Sequence, residues 1–214
     1  MTFARSLFAV ALLTVSMHAQ TPQSQRPTST PYAGDLSIFE EPGREDKLQI
    51  NRVMDILHIA PGKTVADIGA GGGWFTVRAA RRVGESGKVY GEDINPAAIK
   101  AIEQRAAREH LPQVHAVLGT TDDPKLPAKS VDAVLMLKVY HEIAEPLAFL
   151  QHLKPSLAPG ARIGIIDRNG NGKDHGLKRD ILEKELAQAG FREVEHYDFT
   201  KADGQDYFLV FVAK

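Results

Sequence analysis

The 214-residue sequence contains no cysteine. That excludes disulfides, thiolate metal sites and a cysteine nucleophile, but it leaves the compartment open, because a disulfide-free protein can live anywhere. Neither charge is in surplus: 26 Lys and Arg stand against 27 Asp and Glu, a formal net charge of −1. Attachment to phosphates needs a basic excess, so a bulk nucleic-acid partner and a membrane surface are disfavoured. The longest apolar run, Leu7 to Val15, falls far short of the roughly 20 residues that a bilayer span requires. The eight histidines are scattered, without a His-Glu-x-x-His helix or comparable ligand spacing, and no metal is expected.

What is present is an ordinary globular composition, 43% hydrophobic and 25% charged, with room for one sizeable core and hence one domain. Arg5, the apolar stretch Leu7 to Val15 and Ser16-Met17-His18-Ala19 read as a signal peptide over residues 1–19. The expected location is therefore periplasmic or secreted, and cytoplasmic if the start or signal reading is wrong. Gln20 to Gly34 is rich in Gln, Pro, Ser and Thr, too poor in apolar residues to order itself, so residues 20–41 are expected to be a linker. The folded domain is expected over 42–214.

Within that domain, apolar residues at helical spacing from Leu48 to Leu57 predict a helix covering the ligand site, ended by Ala60-Pro61-Gly62. Further helices are predicted after Gly73 as far as Gly84, over Pro96 to Glu109, Leu147 to Leu157 and Ile181 to Ala189. Strands are predicted from Val65, over Lys88 to Tyr90, Val114 to Leu118, Val131 to Leu137, Ala161 to Ile166, Val194 to Phe199 and Tyr207 to Val212. This alternation predicts an α/β, Rossmann-like, doubly wound fold: a mostly parallel seven-stranded sheet with helices on both faces and a C-terminal antiparallel hairpin.

The most informative stretch is Val65 to Thr76, where an apolar strand runs through four glycines into an amphipathic helix. Glycine accepts φ > 0 and lets a ligand approach the backbone, and the helix start offers unpaired N–H groups. Gly69, Gly71 and Trp74 occupy the marked positions of the dinucleotide pattern G-x-G-x-x-G/A, but an indole at the third position opposes tight helix packing and a pyrophosphate. Asp67 through Gly73 instead follow Asp-x-Gly-x-Gly-x-Gly. Asp93 lies about 20 residues beyond the glycines, where a carboxylate can grip a ribose diol. Its alternative role is an acid ahead of the helix opened by Pro96.

These residues resemble motif I and the following acidic strand end of the class I S-adenosylmethionine-dependent methyltransferases. The similarity extends over about Asp46 to Lys214 and includes Leu126 to Asp132, Leu157 to Arg162 and Ala189-Gly190-Phe191. The small-molecule branch with the ubiquinone and menaquinone methyltransferases is most similar. The resemblance implies S-adenosylmethionine as cofactor and a small-molecule methyl acceptor, with Asp67, Gly69 and Gly71 beside the methionine end and Asp93 on the ribose. It also implies a cofactor contact from Leu137 at the end of strand four. Glu92 is a second acid, expected on the opposite face of its strand. Relatives carry an adenine-binding acid after Gly119; here Thr120 follows, and Asp122 is the replacement candidate, the alternative being a solvated turn acid.

The end of strand four, Leu137 to Glu142, is where relatives bring groups to the methyl. His141 is the candidate proton acceptor, because an imidazole titrates near neutrality, with packing or hydrogen bonding as the alternative. Tyr140 either orients the acceptor or covers the sheet end. Asp167 to Gly172 copies the start of a calcium loop, but Lys178 stands where the bidentate Glu belongs. A glycine-rich loop beside the acceptor site, with His175 reaching inward, is expected instead. Two competing functions are a nicotinamide-dependent oxidoreductase, disfavoured by Trp74, and a non-catalytic exported S-adenosylmethionine binder. Oligomeric state is unreadable.

Overall fold

A computed structural model describes residues 26–214; the expected signal peptide lies outside them. Seven strands form one sheet: β1 (Thr64–Ile68), β2 (Lys88–Asp93), β3 (Val114–Leu118), β4 (Val131–Leu137), β5 (Leu157–Asp167), β6 (Phe191–Tyr197) and β7 (Tyr207–Ala213). Their spatial order is β3-β2-β1-β4-β5-β7-β6. The first five run parallel, and β7 inserts antiparallel between β5 and β6. The sheet matches the expected mostly parallel seven-stranded architecture with its antiparallel β6–β7 hairpin.

The strands are apolar on both faces because both faces are covered. Val134 and Met136 of β4, Ile163 and Ile165 of β5, and Leu209 and Phe211 of β7 point into one core, under α5 (Pro146–Leu153) and α6 (Arg179–Gln188). The intervening Ala133, Leu135, Phe208 and Val210 point into the other, under α2 (Ile50–Ile56) and α3 (Trp74–Val83). A two-residue period sorts each strand into two cores.

Several element boundaries differ from expectation; β6, expected over Val194 to Phe199, runs Phe191–Tyr197, and Phe199 opens a 3-10 turn. The helix predicted across Leu48 to Leu57 is two short helices, α1 (Arg44–Leu48) and α2, broken at Gln49, whose backbone is left-handed at φ 49°. The helix predicted as far as Leu157 stops at Leu153; a 3-10 turn over Lys154–Ser156 follows, and Leu157 already pairs with Val131 in the sheet. A register shift between Val131 and Ala133 absorbs the Pro159-Gly160 turn inside β5. Tertiary pairing outweighed local turn chemistry there.

Residues 26–41, expected to be an unordered linker, pack against the domain. The Arg26 side chain is 5% exposed and pairs with Glu185 at 2.8 Å, while its guanidinium donates to the carbonyls of Tyr140 and Ile143, both at 3.0 Å. Ser29 is buried and donates its N–H to the His141 carbonyl. A 3-10 turn, Leu36–Phe39, follows, capped by Asp35, which accepts from the Ser37 N–H. Few apolar side chains are needed when polar groups are matched by buried partners. No helix among the described residues is long and apolar enough to cross a membrane.

Candidate active site

The strand order reverses between β1 and β4, and in open α/β sheets the crevice beyond the carboxyl ends at such a point is where ligands bind. A cleft enclosing about 1150 Å³ of space continuous with solvent lies there. Its floor is the turn from β1 into α3, helped by the ends of β2 and β4.

The turn needs its glycines. Gly69, Gly71 and Gly73 have φ of 65°, 53° and 78°, a region that L side chains rarely occupy. A methyl group on Gly69 would stand 2.3 Å from Val139 Cγ2, so β1 and the segment after β4 approach more closely than any other residue allows. No side chain caps α3, which leaves its first turn without the partner that a Ser or Asp cap supplies.

Asp93 does not cap the helix opened by Pro96, because Asn95 does, accepting from the Ala97 N–H at 2.9 Å. Asp93 instead accepts from the Gly71 N–H at 2.9 Å and the Asn95 N–H at 2.8 Å, fastening the glycine turn to the end of β2. Glu92 was expected on the opposite face, yet both acids line the cleft. The Glu92 carboxylate reaches back over Gly119, whose hydrogen occupies space that a Cβ would share with Glu92 Oε1 at 1.9 Å. That oxygen is buried and has no hydrogen-bond partner among the described residues.

Asp67 is buried and accepts from Thr76 Oγ at 2.6 Å. Burial pushes its carboxyl up to about 7, against the lowering effect of Thr76. Glu92 is pushed up to about 8, first by burial and then by the charge of Asp93. Three carboxyls thus converge at one end of the cleft, and both buried ones gain from a cation placed among them.

The remaining sequence candidates separate. Leu137 lines the cleft. Asp122 is not among the lining residues; its carboxylate accepts from Thr120 Oγ at 2.8 Å, and Thr120 and Thr121 form the wall in its place. Tyr140 is fully buried and donates its hydroxyl to Glu185 at 3.0 Å, with the Arg26 guanidinium 5.5 Å from its ring centre, so it cannot orient an acceptor. His141 is buried too, its Nδ1 2.9 Å from both Asp167 oxygens, and Glu142 rather than His141 lines the cleft. His175 does not line the cleft; its side chain is 56% exposed, with Nδ1 3.4 Å from Glu142 Oε1. The calcium-like oxygens are engaged separately, Asn169 with the Arg179 N–H and Asn171 with the Lys173 N–H.

Several wall residues carry no signal in the sequence. Pro31, Tyr32, Leu36 and Phe39 form a cover supplied by the N-terminal segment, where the predicted helix was expected to lie. Arg44, buried on α1, stands 4.4 Å from the Trp74 ring centre, which explains why an indole opens α3. Lys138 has a left-handed backbone, φ 59°, at the end of β4, and burial pulls its ammonium pKa down.

Comparison with known proteins agrees with this architecture. Residues 65–160 match the family described as methyltransferase domain. Nocamycin O-methyltransferase of Saccharothrix syringae is 33% identical over 114 residues, 53% of this chain and 41% of that protein. The 2-phytyl-1,4-naphtoquinone methyltransferase of Trichormus variabilis is 33% identical over 50% of this chain and 47% of its own length. The chain thus spans less than half of these relatives. The crystal structure of a SAM-dependent methyltransferase from Aquifex aeolicus superposes with a TM-score of 0.76 at 24% identity, covering 85% of this chain and all of that one. Glycine turn, acidic strand end and sheet order together with these matches show a methyltransferase-like domain over residues 65–160 and the fold of the Aquifex aeolicus SAM-dependent methyltransferase.

Proposed function

We propose that this protein transfers the methyl group of S-adenosylmethionine to a small-molecule acceptor. The observation that carries the reading is the cleft itself, with three carboxyls at one end and an apolar cover of Leu36 and Phe39 lying over the glycine turn. The cofactor, when bound, supplies a methyl group activated by a positively charged sulfonium. It fits the residues present: buried Glu92 has no cation among its neighbours, and its orphaned oxygen and Asp93 offer acceptors for ammonium or ribose hydroxyls. The glycine turn admits the ligand against the backbone.

The chain's own contribution is mostly positioning, since holding acceptor and methyl near attack distance supplies much of the rate. The N-terminal cover excludes water and strengthens the carboxylate interactions beneath it. The small-molecule acceptor is inferred from the enclosed cleft and from relatives named for a nocamycin and a naphtoquinone. Calorimetric titration tests the cofactor half. Asp93→Ala removes a charged acceptor from two backbone N–H groups, on the order of 1.5–3 kcal/mol each, and is expected to weaken S-adenosylmethionine at least tenfold. Tight NADH binding with no response to S-adenosylmethionine overturns the reading.

A further inference from the structure

The β4 end and the β5–α6 loop bring together three side chains that the sequence keeps apart. His141, Glu142 and His175 each offer a ligand atom, and the three atoms lie within 4.8 Å of one another. Glu142 Oε1 is 3.8 Å from His141 Nε2 and 3.4 Å from His175 Nδ1. The two imidazoles meet edge to face with centroids 5.6 Å apart. Tetrahedral zinc with bonds of about 2.0–2.1 Å separates its ligand atoms by roughly 3.3 Å, so the group stands slightly open relative to that geometry. His175 is 56% exposed at its side chain, so it is the ligand with room to adjust.

The support around His141 is what a metal ligand needs. Asp167 is fully buried and sits 2.9 Å from His141 Nδ1. A carboxylate only accepts, so Nδ1–H points at Asp167, and Nε2 is the nitrogen on the Glu142 side, available to ligate. A carboxylate that fixes the tautomer of a ligating imidazole is the recurrent outer support of zinc sites. Asp167 itself is held by the backbone N–H groups of Arg168 and His141. The loop bearing His175 is anchored as well: Ser29 Oγ accepts from the His175 N–H at 3.0 Å and donates to the Gly172 carbonyl at 2.9 Å.

We propose that His141, Glu142 and His175 bind one divalent transition-metal ion of the zinc class, with Asp167 orienting His141. Two imidazoles and one carboxylate leave a coordination position open, the arrangement of catalytic rather than structural sites. Because Glu142 lines the cleft, an ion held there would stand beside the space in which an acceptor would sit. Sequence spacing gave no hint of this, since 34 residues separate the two histidines.

The ion's use rests on the methyl-transfer reading; its binding does not. An acceptor hydroxyl bound to the ion loses its proton to solvent more readily. The resulting oxygen forms the new bond to the methyl carbon as the carbon–sulfonium bond breaks. That electron pair returns to sulfur, leaving a neutral thioether, and the metal keeps its oxidation state. The ether product, now uncharged, is a poorer ligand and departs.

The test is calorimetric titration of chelator-treated full-length protein with Zn²⁺, repeated with Co²⁺ for its tetrahedral absorption bands. One equivalent should bind with a Kd in the micromolar range or tighter. His175→Ala and Glu142→Gln should each weaken binding at least tenfold, and Asp167→Asn by about 10–100-fold. His175 is exposed, so its variant keeps the fold, and its S-adenosylmethionine affinity should match wild type. Absence of saturable wild-type binding, or unchanged binding in His175→Ala, overturns the metal site. Zinc bound one to one and lost in these variants supports it even where S-adenosylmethionine does not bind, a result that would overturn only the methyl-transfer reading.

Discussion

The two ends of the cleft are built in opposite ways. The carboxylate end comes from one continuous stretch, Asp67 through Asn95, in which strand, glycine turn, helix and acidic strand follow in order. The opposite end is assembled from the N-terminal segment, the residues after β4, the last residue of β5 and the loop before α6, pieces up to 146 residues apart. Most of the first end is therefore set by one run of consecutive elements. The second depends on docking, so it tolerates variation and can be loosened without disturbing the first.

The sharpest way to break the local end is Gly69→Ala. The added methyl would collide with Val139 while the backbone sits at φ 65°, and neither strain can relax without moving β1 from the segment after β4. S-adenosylmethionine affinity should fall by more than about tenfold, with a loss of roughly 1–3 kcal/mol in stability, read by calorimetry and denaturant unfolding.

Next in size is a pH effect confined to the same end. Asp67 and Glu92 have native pKa values raised to about 7 and about 8, so between about pH 4.5 and 8 the folded apo-protein holds protons that the unfolded chain has released. Stability contributed by these groups is therefore full at low pH and declines as pH rises through that window. A cation favours their ionised forms, so S-adenosylmethionine binding near pH 7 should release protons and strengthen as pH rises towards 8. Calorimetry in two buffers of different ionisation enthalpy measures the release; Glu92→Gln should diminish it.

Arg26→Ala probes the docked end. It deletes the ion pair to Glu185 and the bonds to the Tyr140 and Ile143 carbonyls, so protease cleavage within 26–41 should accelerate severalfold while the global unfolding midpoint moves little. The smallest effect should come from Asp122→Ala: its carboxylate serves Thr120 and does not line the cleft. Cofactor affinity within about twofold of wild type is expected; a tenfold loss would return Asp122 to the adenine site.

The same contrast explains what could be read in advance. β3 and β4 begin and end where the alternation places them, because a two-residue period is a property of neighbouring residues. Asp67, Gly69, Gly71, Asp93 and Leu137 all line the cleft because each sits at or just beyond the carboxyl end of a strand, and strand ends are legible in the sequence. Tyr140 and His141 were placed at the correct strand end, but which side chain faces the cleft was decided by a 3-10 turn, Tyr140–Glu142, that buries both and leaves Glu142 outward.

The sequence by itself determined the alternation of strands and helices, the glycine turn and the acid at the end of β2, since each is enforced by the conformational limits of a few consecutive residues. Only the tertiary structure decided that Glu92 turns into the cleft over Gly119, that a polar N-terminal segment folds across the opening, and that His141, Glu142 and His175 converge. Those outcomes depend on how loops are anchored across the sheet by buried ion pairs and backbone hydrogen bonds. The partners lie many tens of residues away, where periodicity and local propensity have no reach.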